Sequence, residues 1–430
     1  MKNKFIFKIV CFLFIGNTIL AQQTPAPKQS TDYSIEGATA HIGNGTIIEN
    51  SLIMFSNGKI QFVGKAEMKI ARIGTVIDGK NLHVYPGFIV ANSTLGLGEI
   101  DAVKATIDDE ETGTMLPHIR SLIAYNAESK VVESMRPNGV LMGQITPQGG
   151  VISGTSSIVQ FDAWNWEDAA IKADAGIHLN WPKSLTRGRW WMGEDAGAKP
   201  NKEYSNEVEK LKTYLLDGQR YLASSKNPKN LPFEALNGLF NGSKKLFIAA
   251  EKAKEITDAI AFCNELGIKN IVLVFSNEAY KVANLIKENN IAVIVDKSHR
   301  TPDHNDDDFD LPYRNAQLLV EKGITVCIGD TGRMSARNLP FYAGTYAAYG
   351  LGKNEALKLI TLNAAKILGI DDIVGSLEVG KLATLFISEG DALDMRTNKL
   401  THAFIEGRKI SLETHQTELS DRYSKKYGIK

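Results

Sequence analysis

The chain lacks net charge: Lys plus Arg and Asp plus Glu number 49 each in 430 residues. No overall field exists to recruit nucleic acid or an anionic membrane face, which leaves a small molecule or another protein as the expected partner. Cysteine is scarce, with three in all. Cys11 lies in the first apolar segment, while Cys263 and Cys327 fall on a predicted helix and a predicted strand, so two buried free thiols are expected; a core of this size needs no disulfide. Histidine is thinly spread, eight in total and none between His178 and His299. The apolar run from Phe5 to Leu20 is interrupted by Lys8 and Asn17 and falls short of the roughly 20 residues a spanning helix needs, so no membrane anchor is expected.

The N-terminus instead has the order of an export signal. Lys2 and Lys4 give a basic start, the apolar run follows, and Ala21 precedes a polar Gln-Gln stretch. This predicts a signal peptide over residues 1–21 and an exported protein, periplasmic or secreted. Residues 22–32 mix Gln, Pro, Thr and Lys and predict a disordered leader.

From 33 to 85 the pattern is one of short alternating strands. Thr46 to Met54 is rich in Ile and Leu, Ser56-Asn57-Gly58-Lys59 supplies a tight hairpin, and Ile60 to Val63 returns. The same texture reappears in residues 371–430, where Glu406-Gly407-Arg408-Lys409 makes a second hairpin turn ahead of a tail. Between these ends, residues 86–370 alternate strand and helix. Leu246 to Ala249, Ile271 to Phe275, Ile291 to Val295 and Ile324 to Ile328 are brief apolar runs separated by helical stretches. The helix between the first two sets Ile256, Ile260, Cys263 and Leu266 on one face and stops at Gly267. Strand, helix and parallel strand at this spacing imply right-handed crossovers, and the length suits a closed eight-stranded barrel better than the rival, an open doubly wound sheet. The first half is less regular: Pro147-Gln148-Gly149-Gly150 and Ile152-Ser153-Gly154-Thr155 look like loops, and all five tryptophans crowd between Trp164 and Trp191. Such loops either shape a pocket or pack an excursion against the barrel wall.

Two stretches carry a family resemblance. One is Val84-Tyr85-Pro86-Gly87-Phe88-Ile89-Val90-Ala91-Asn92-Ser93-Thr94. The other runs from Arg337-Asn338-Leu339-Pro340-Phe341 through Thr361-Leu362-Asn363-Ala364-Ala365-Lys366-Ile367-Leu368-Gly369 to Val374-Gly375-Ser376-Leu377-Glu378-Val379-Gly380-Lys381. Both resemble the amidohydrolase superfamily, in particular its imidazolonepropionase-like branch, and with the split β ends the resemblance spans nearly the whole chain. It implies an α/β fold: a (β/α)8 TIM-like barrel plus a small composite β-sandwich domain built from both termini. It also implies hydrolysis of non-peptide carbon–nitrogen bonds by water activated on zinc or iron, with an Asp as proton shuttle.

The residues at the matching positions depart from that chemistry. The family's first-strand His-x-His falls on Asn92 and Thr94, and its next ligand, a histidine ending a middle strand, falls on Ala249. An amide and a hydroxyl are weak zinc ligands, and alanine is none. The shuttle position falls on Asp330, for which a loop carboxylate answering Arg333 or Arg337 is the plain alternative. His299 and Arg337 are further pocket candidates. The acidic loop around His299 and His304 matches no calcium-loop spacing and reads as solvated, and His118 and His178 read as structural hydrogen-bonding histidines. No Gly-x-Ser-x-Gly elbow occurs. The expectation is an exported amidohydrolase-family protein, weak or inactive as a metal hydrolase, with zinc or iron as cofactor only if the family chemistry survives. The alternative is a non-catalytic small-molecule-binding protein, or a partner subunit of a catalytically intact relative; homo- and hetero-oligomers both fit.

Overall fold

The computed structural model describes residues 24–429 apart from 189, 194, 196 and 304–306. The predicted signal peptide and Cys11 therefore lie outside the described residues. Residues 24–32, where composition predicts disorder, form no regular element but are fastened down. The Ala26 N–H donates to Asp162 at 2.9 Å, the Arg408 guanidinium donates to the Ala26 carbonyl at 3.0 Å, and Gln29 accepts from the Gly58 N–H at 2.6 Å.

The chain opens with β1 (Tyr33–His41), β2 (Ile47–Ser56), β3 (Lys59–Lys65), β4 (Thr75–Asp78) and β5 (His83–Pro86). The β2–β3 hairpin is where the sequence places it, with Asn57 and Gly58 at φ 50° and 78°, both left-handed as a tight two-residue turn requires. From β5 the chain passes through Gly87 alone into the barrel.

The barrel strands are β6 (Phe88–Ser93), β7 (Val140–Ile145), β8 (Ile152–Gln160) and β9 (Ala170–Asn180). After a separate hairpin of β10 (Leu185–Arg187) and β11 (Ala198–Pro200) come β12 (Lys245–Ala249), β13 (Ile271–Val274), β14 (Ala292–Val295) and β15 (Val326–Ile328). They form one sheet in the order β15-β14-β13-β12-β9-β8-β7-β6, and a parallel bridge between Ala91 and Gly329 brings its two edges together. Gly329 is required there, since a Cβ would lie 2.9 Å from the Ala91 carbonyl oxygen and 2.8 Å from Ile294 Cγ2. Alternation sorts the side chains: Ile89, Ala91, Val272, Val274, Ile294 and Cys327 pack in one cluster, while Phe88, Val90, Leu273, Val293, Val295 and Val326 pack in another with the helices. The barrel floor is sealed by the helix Leu362–Leu368, whose last carbonyls at Lys366 and Ile367 accept from the Lys245 ammonium.

One strand departs from the expected repeat. β8 runs antiparallel to both β7 and β9, joined to β7 by a loop and to β9 through only the one-turn helix Trp166–Ala169. The segment Ile152-Ser153-Gly154-Thr155, which reads as a loop, is the start of this strand, and all nine of its residues are buried. Its polarity is accommodated because its hydroxyls find partners: Thr155 donates to the Pro117 carbonyl at 2.8 Å, and Ser157 accepts from the Asp174 N–H at 2.9 Å.

At the far end β16 (Leu385–Ser388), β17 (Leu400–Ile405) and β18 (Arg408–Ile410) join the first five strands in a second eight-stranded sheet, ordered β18-β17-β16-β5-β1-β2-β3 with β4 beside β1. The architecture is thus a TIM-like barrel plus a composite β domain drawn from both termini. The tail is a helix, His415–Tyr427, begun by a Thr414 cap and closed by left-handed Gly428. Cys263 and Cys327 are buried free thiols, and among the described residues no helix is long and apolar enough to cross a membrane.

Candidate functional site

In a barrel of this kind the carboxyl ends of the strands face the site. A cavity of about 200 Å³ opens there, lined by Asn92 from β6, Thr146 and Gln148 after β7, His178 and Asn180 from β9, Phe247 and Ala249 from β12, and Phe275 after β13, with Ser153, Thr331 and neighbours between them. No charged side chain is in this lining. Two of the lining residues, Asn92 and Phe275, hold φ of 47° and 50°. For a bulky residue such as Phe275 this conformation is unusual, and strain of this kind, about 1–3 kcal/mol per residue, persists only where packing enforces it.

Behind the cavity wall lies a buried polar chain. The Asn92 N–H donates to Gln144 Oε1 at 3.0 Å, which fixes the orientation of that amide. The Gln144 amide nitrogen then faces Ser156 Oγ at 3.0 Å and His178 Nε2 at 3.4 Å, while Ser156 Oγ and His178 Nε2 are 2.8 Å apart. An amide nitrogen only donates, so His178 Nε2 is the acceptor here, the Ser156 hydroxyl donates to it, and the imidazole proton sits on Nδ1. Burial holds His178 neutral by pushing its pKa down to about 3. The ring lies parallel to Phe247, centroids 4.7 Å apart. Thr146, 1% exposed, has a buried hydroxyl with no partner among the described residues.

The residues singled out from sequence are distributed unevenly. Asn92 and Ala249 line the cavity together. Thr94 does not: it is buried, and its hydroxyl donates to the Thr331 carbonyl at 2.8 Å. Asp330 is fully buried behind the lining, and its partner is neither Arg333 nor Arg337 but Lys297, whose ammonium lies 3.1 Å from Oδ1. The same oxygen accepts from the Gly332 N–H at 2.8 Å. The Tyr342 hydroxyl divides its proton between the Ser335 carbonyl at 2.9 Å and Oδ2 at 3.3 Å. Arg333 is spent on Asp101 and Asp109, and Arg337 offers its carbonyl to Asn138. His299 stands off the cavity, 2.8 Å from Thr345 Oγ1 and edge-on to Tyr342. In the acidic loop Asp303 pairs with Arg300, and His304 and Asp306 lie outside the described residues. The tryptophans whose side chains are described stay out of the cavity: Trp181 is core, donating to the Tyr204 hydroxyl, while Trp164 and Trp191 face solvent. Lys297, Gln144 and Thr146 went unnoticed in the sequence, and Ser156 was weighed there only as a nucleophile, because no local motif marks residues that meet only across strands.

Residues 251–410 match the amidohydrolase family. The chain is 25% identical over 377 residues, 80% of its own length and 82% of the relative's, to a 5-methylthioadenosine/S-adenosylhomocysteine deaminase of Thermoanaerobacter pseudethanolicus. It is 44% identical over 81 residues, 18% of this chain and 19% of the other, to an imidazolonepropionase of Symbiobacterium thermophilum. An amidohydrolase structure from Thermotoga maritima shares the fold with a TM-score of 0.77 at 23% identity, covering 88% of this chain and 99% of that one.

Proposed function

This chain carries an amidohydrolase-family domain on the amidohydrolase fold, and from that premise we propose that its barrel mouth binds a small neutral molecule without a catalytic metal. The observation that carries the reading is the donor set at the strand ends. Zinc or iron requires at least three convergent donors. The positions that resemble the family's ligands present the Asn92 amide, a Thr94 hydroxyl already bonded to a carbonyl and the Ala249 methyl, and the shuttle position presents an Asp330 carboxylate engaged by an ammonium and a backbone N–H. Among the described residues no group of three or more His, Cys, Asp and Glu side chains converges. These residues do not fit a hydrolytic zinc or iron centre, and no hydrolytic step is assigned to one.

The lining argues for the ligand's chemistry. A charged ligand entering an uncharged cavity loses its hydration without a counter-charge, whereas a neutral one is favoured. Phe247 and Phe275 offer aromatic surface, and His178 offers an Nδ1–H donor fixed by the chain through Ser156 and Gln144. A flat neutral heterocycle carrying a carbonyl, such as a cyclic amide, satisfies these demands. We place the protein outside the cytoplasm on the strength of residues 1–21 alone.

Elemental analysis of the mature protein, purified without a histidine tag, combined with thermal-shift screening of neutral cyclic amides against charged analogues, tests the reading. The expected result is a chain free of zinc and iron that is stabilised by neutral ligands; stoichiometric metal in the barrel mouth would overturn it.

A further inference from the structure

We infer that Lys297 is the built-in cation of the barrel mouth, an ammonium paired with the carboxylate at the position that resembles the family's proton shuttle, and that it blocks restoration of a metal site independently of the missing histidines. The inference rests on the metal-free reading above.

Lys297 follows β14 by two residues and Asp330 follows β15 by two, so adjacent strand ends carry the two charges. Asp330 is fully buried, and a buried carboxylate needs a counter-charge and hydrogen bonds to stay ionised. The structure supplies both. Lys297 Nζ lies 3.1 Å from Oδ1 and is braced by Ser335 Oγ at 3.4 Å, while the Gly332 N–H fills another site on the same oxygen. The remaining nearby charges are committed elsewhere: Asp296 to Arg300, Arg300 also to Asp303, and Arg333 to Asp101 and Asp109. A divalent ion on Asp330 would stand within a few ångströms of the ammonium, and like charges at that separation repel strongly in a site of low dielectric. Putting histidines back at the strand ends therefore supplies ligands but leaves this repulsion in place.

The test compares zinc affinity, by competition with a chromogenic chelator, in two chains. One carries Asn92→His, Thr94→His and Ala249→His together; the other adds Lys297→Ala. The expected result is weak binding in the first and a gain of at least about tenfold in the second. Equal affinity in the two chains sinks the inference. If the combination with Lys297→Ala does not fold, the triple-histidine chain carrying Lys297→Met, which keeps the length of the side chain without its charge, answers the question: Zn²⁺ should raise its melting temperature further than that of the triple-histidine chain alone, and an equal rise counts against the inference. Should the unmodified chain itself carry stoichiometric metal, the parent reading fails, an outcome separate from either of these.

Discussion

From β9 to β15 the barrel is a run of parallel strands whose alternate apolar side chains fill the interior or meet the outer helices. From β6 to β8 it is built differently, with a reversed strand in which Ser153, Thr155, Ser156, Ser157 and Gln160 are all buried. The regular half is stabilised by apolar area removed from water, which is insensitive to direction. The polar half depends on hydrogen bonds that must each be completed, because a buried polar group left unpaired is costly. That directional half supplies the chain from Asn92 through Gln144 and Ser156 to His178. The polar strand thus holds His178 in place from one side, while the regular strands add Phe247 and Phe275 to the cavity lining.

This contrast can be broken experimentally. Ile294→Ala, in the barrel interior and fully buried, is expected to cost about 2–5 kcal/mol in denaturant unfolding and to leave affinity for a neutral ligand unchanged; an equal loss of affinity would show that the two halves are not separable. Acidification sharpens the comparison. His178 is depressed to about 3 in the folded chain, below its unfolded value, so the unfolded chain takes up the proton first. Its contribution is fully present above the unfolded value and is lost as pH falls, by about 2 kcal/mol at pH 5 for one such group. His41, in the composite sheet and depressed to about 4, acts with the same sign, so His178→Gln should flatten only part of the slope of stability against pH. An unchanged slope would remove His178 as a neutral buried group. The smallest effect is expected from Ser156→Ala, about 1 kcal/mol of stability. Its diagnostic readout is the His178 tautomer by nitrogen NMR, which should stay Nδ1–H because the Gln144 amide still faces Nε2; a switch to Nε2–H would mean that Ser156 rather than Gln144 sets it.

Legibility from sequence follows the same division. The hairpin at Asn57-Gly58 and the strands β12 to β15 stand within a residue or two of their predicted places, because turn chemistry and apolar periodicity are local. β8 escaped because Ser, Gly and Thr in series look like a loop until the partners of their hydroxyls are known. The family resemblance led to Asn92 and Ala249, which do line the cavity, and to Asp330, whose carboxylate is turned to Lys297 instead. No pattern in the sequence announces that ammonium, since Lys297 and Asp330 are 33 residues apart and meet only when β14 and β15 pair.

The passage from composite sheet to barrel through one residue has a mechanical consequence. Gly87 is tied by its N–H to the Thr384 carbonyl, Phe88 by its own to Gly139, and the rings of Tyr85, Phe88 and Phe386 interlock across the join. A Cβ at Gly87 would press at once on Thr384 Cγ2 at 2.9 Å and on Leu141 Cδ1 at 3.1 Å, so a single substitution at this join would disturb the composite sheet and the barrel together.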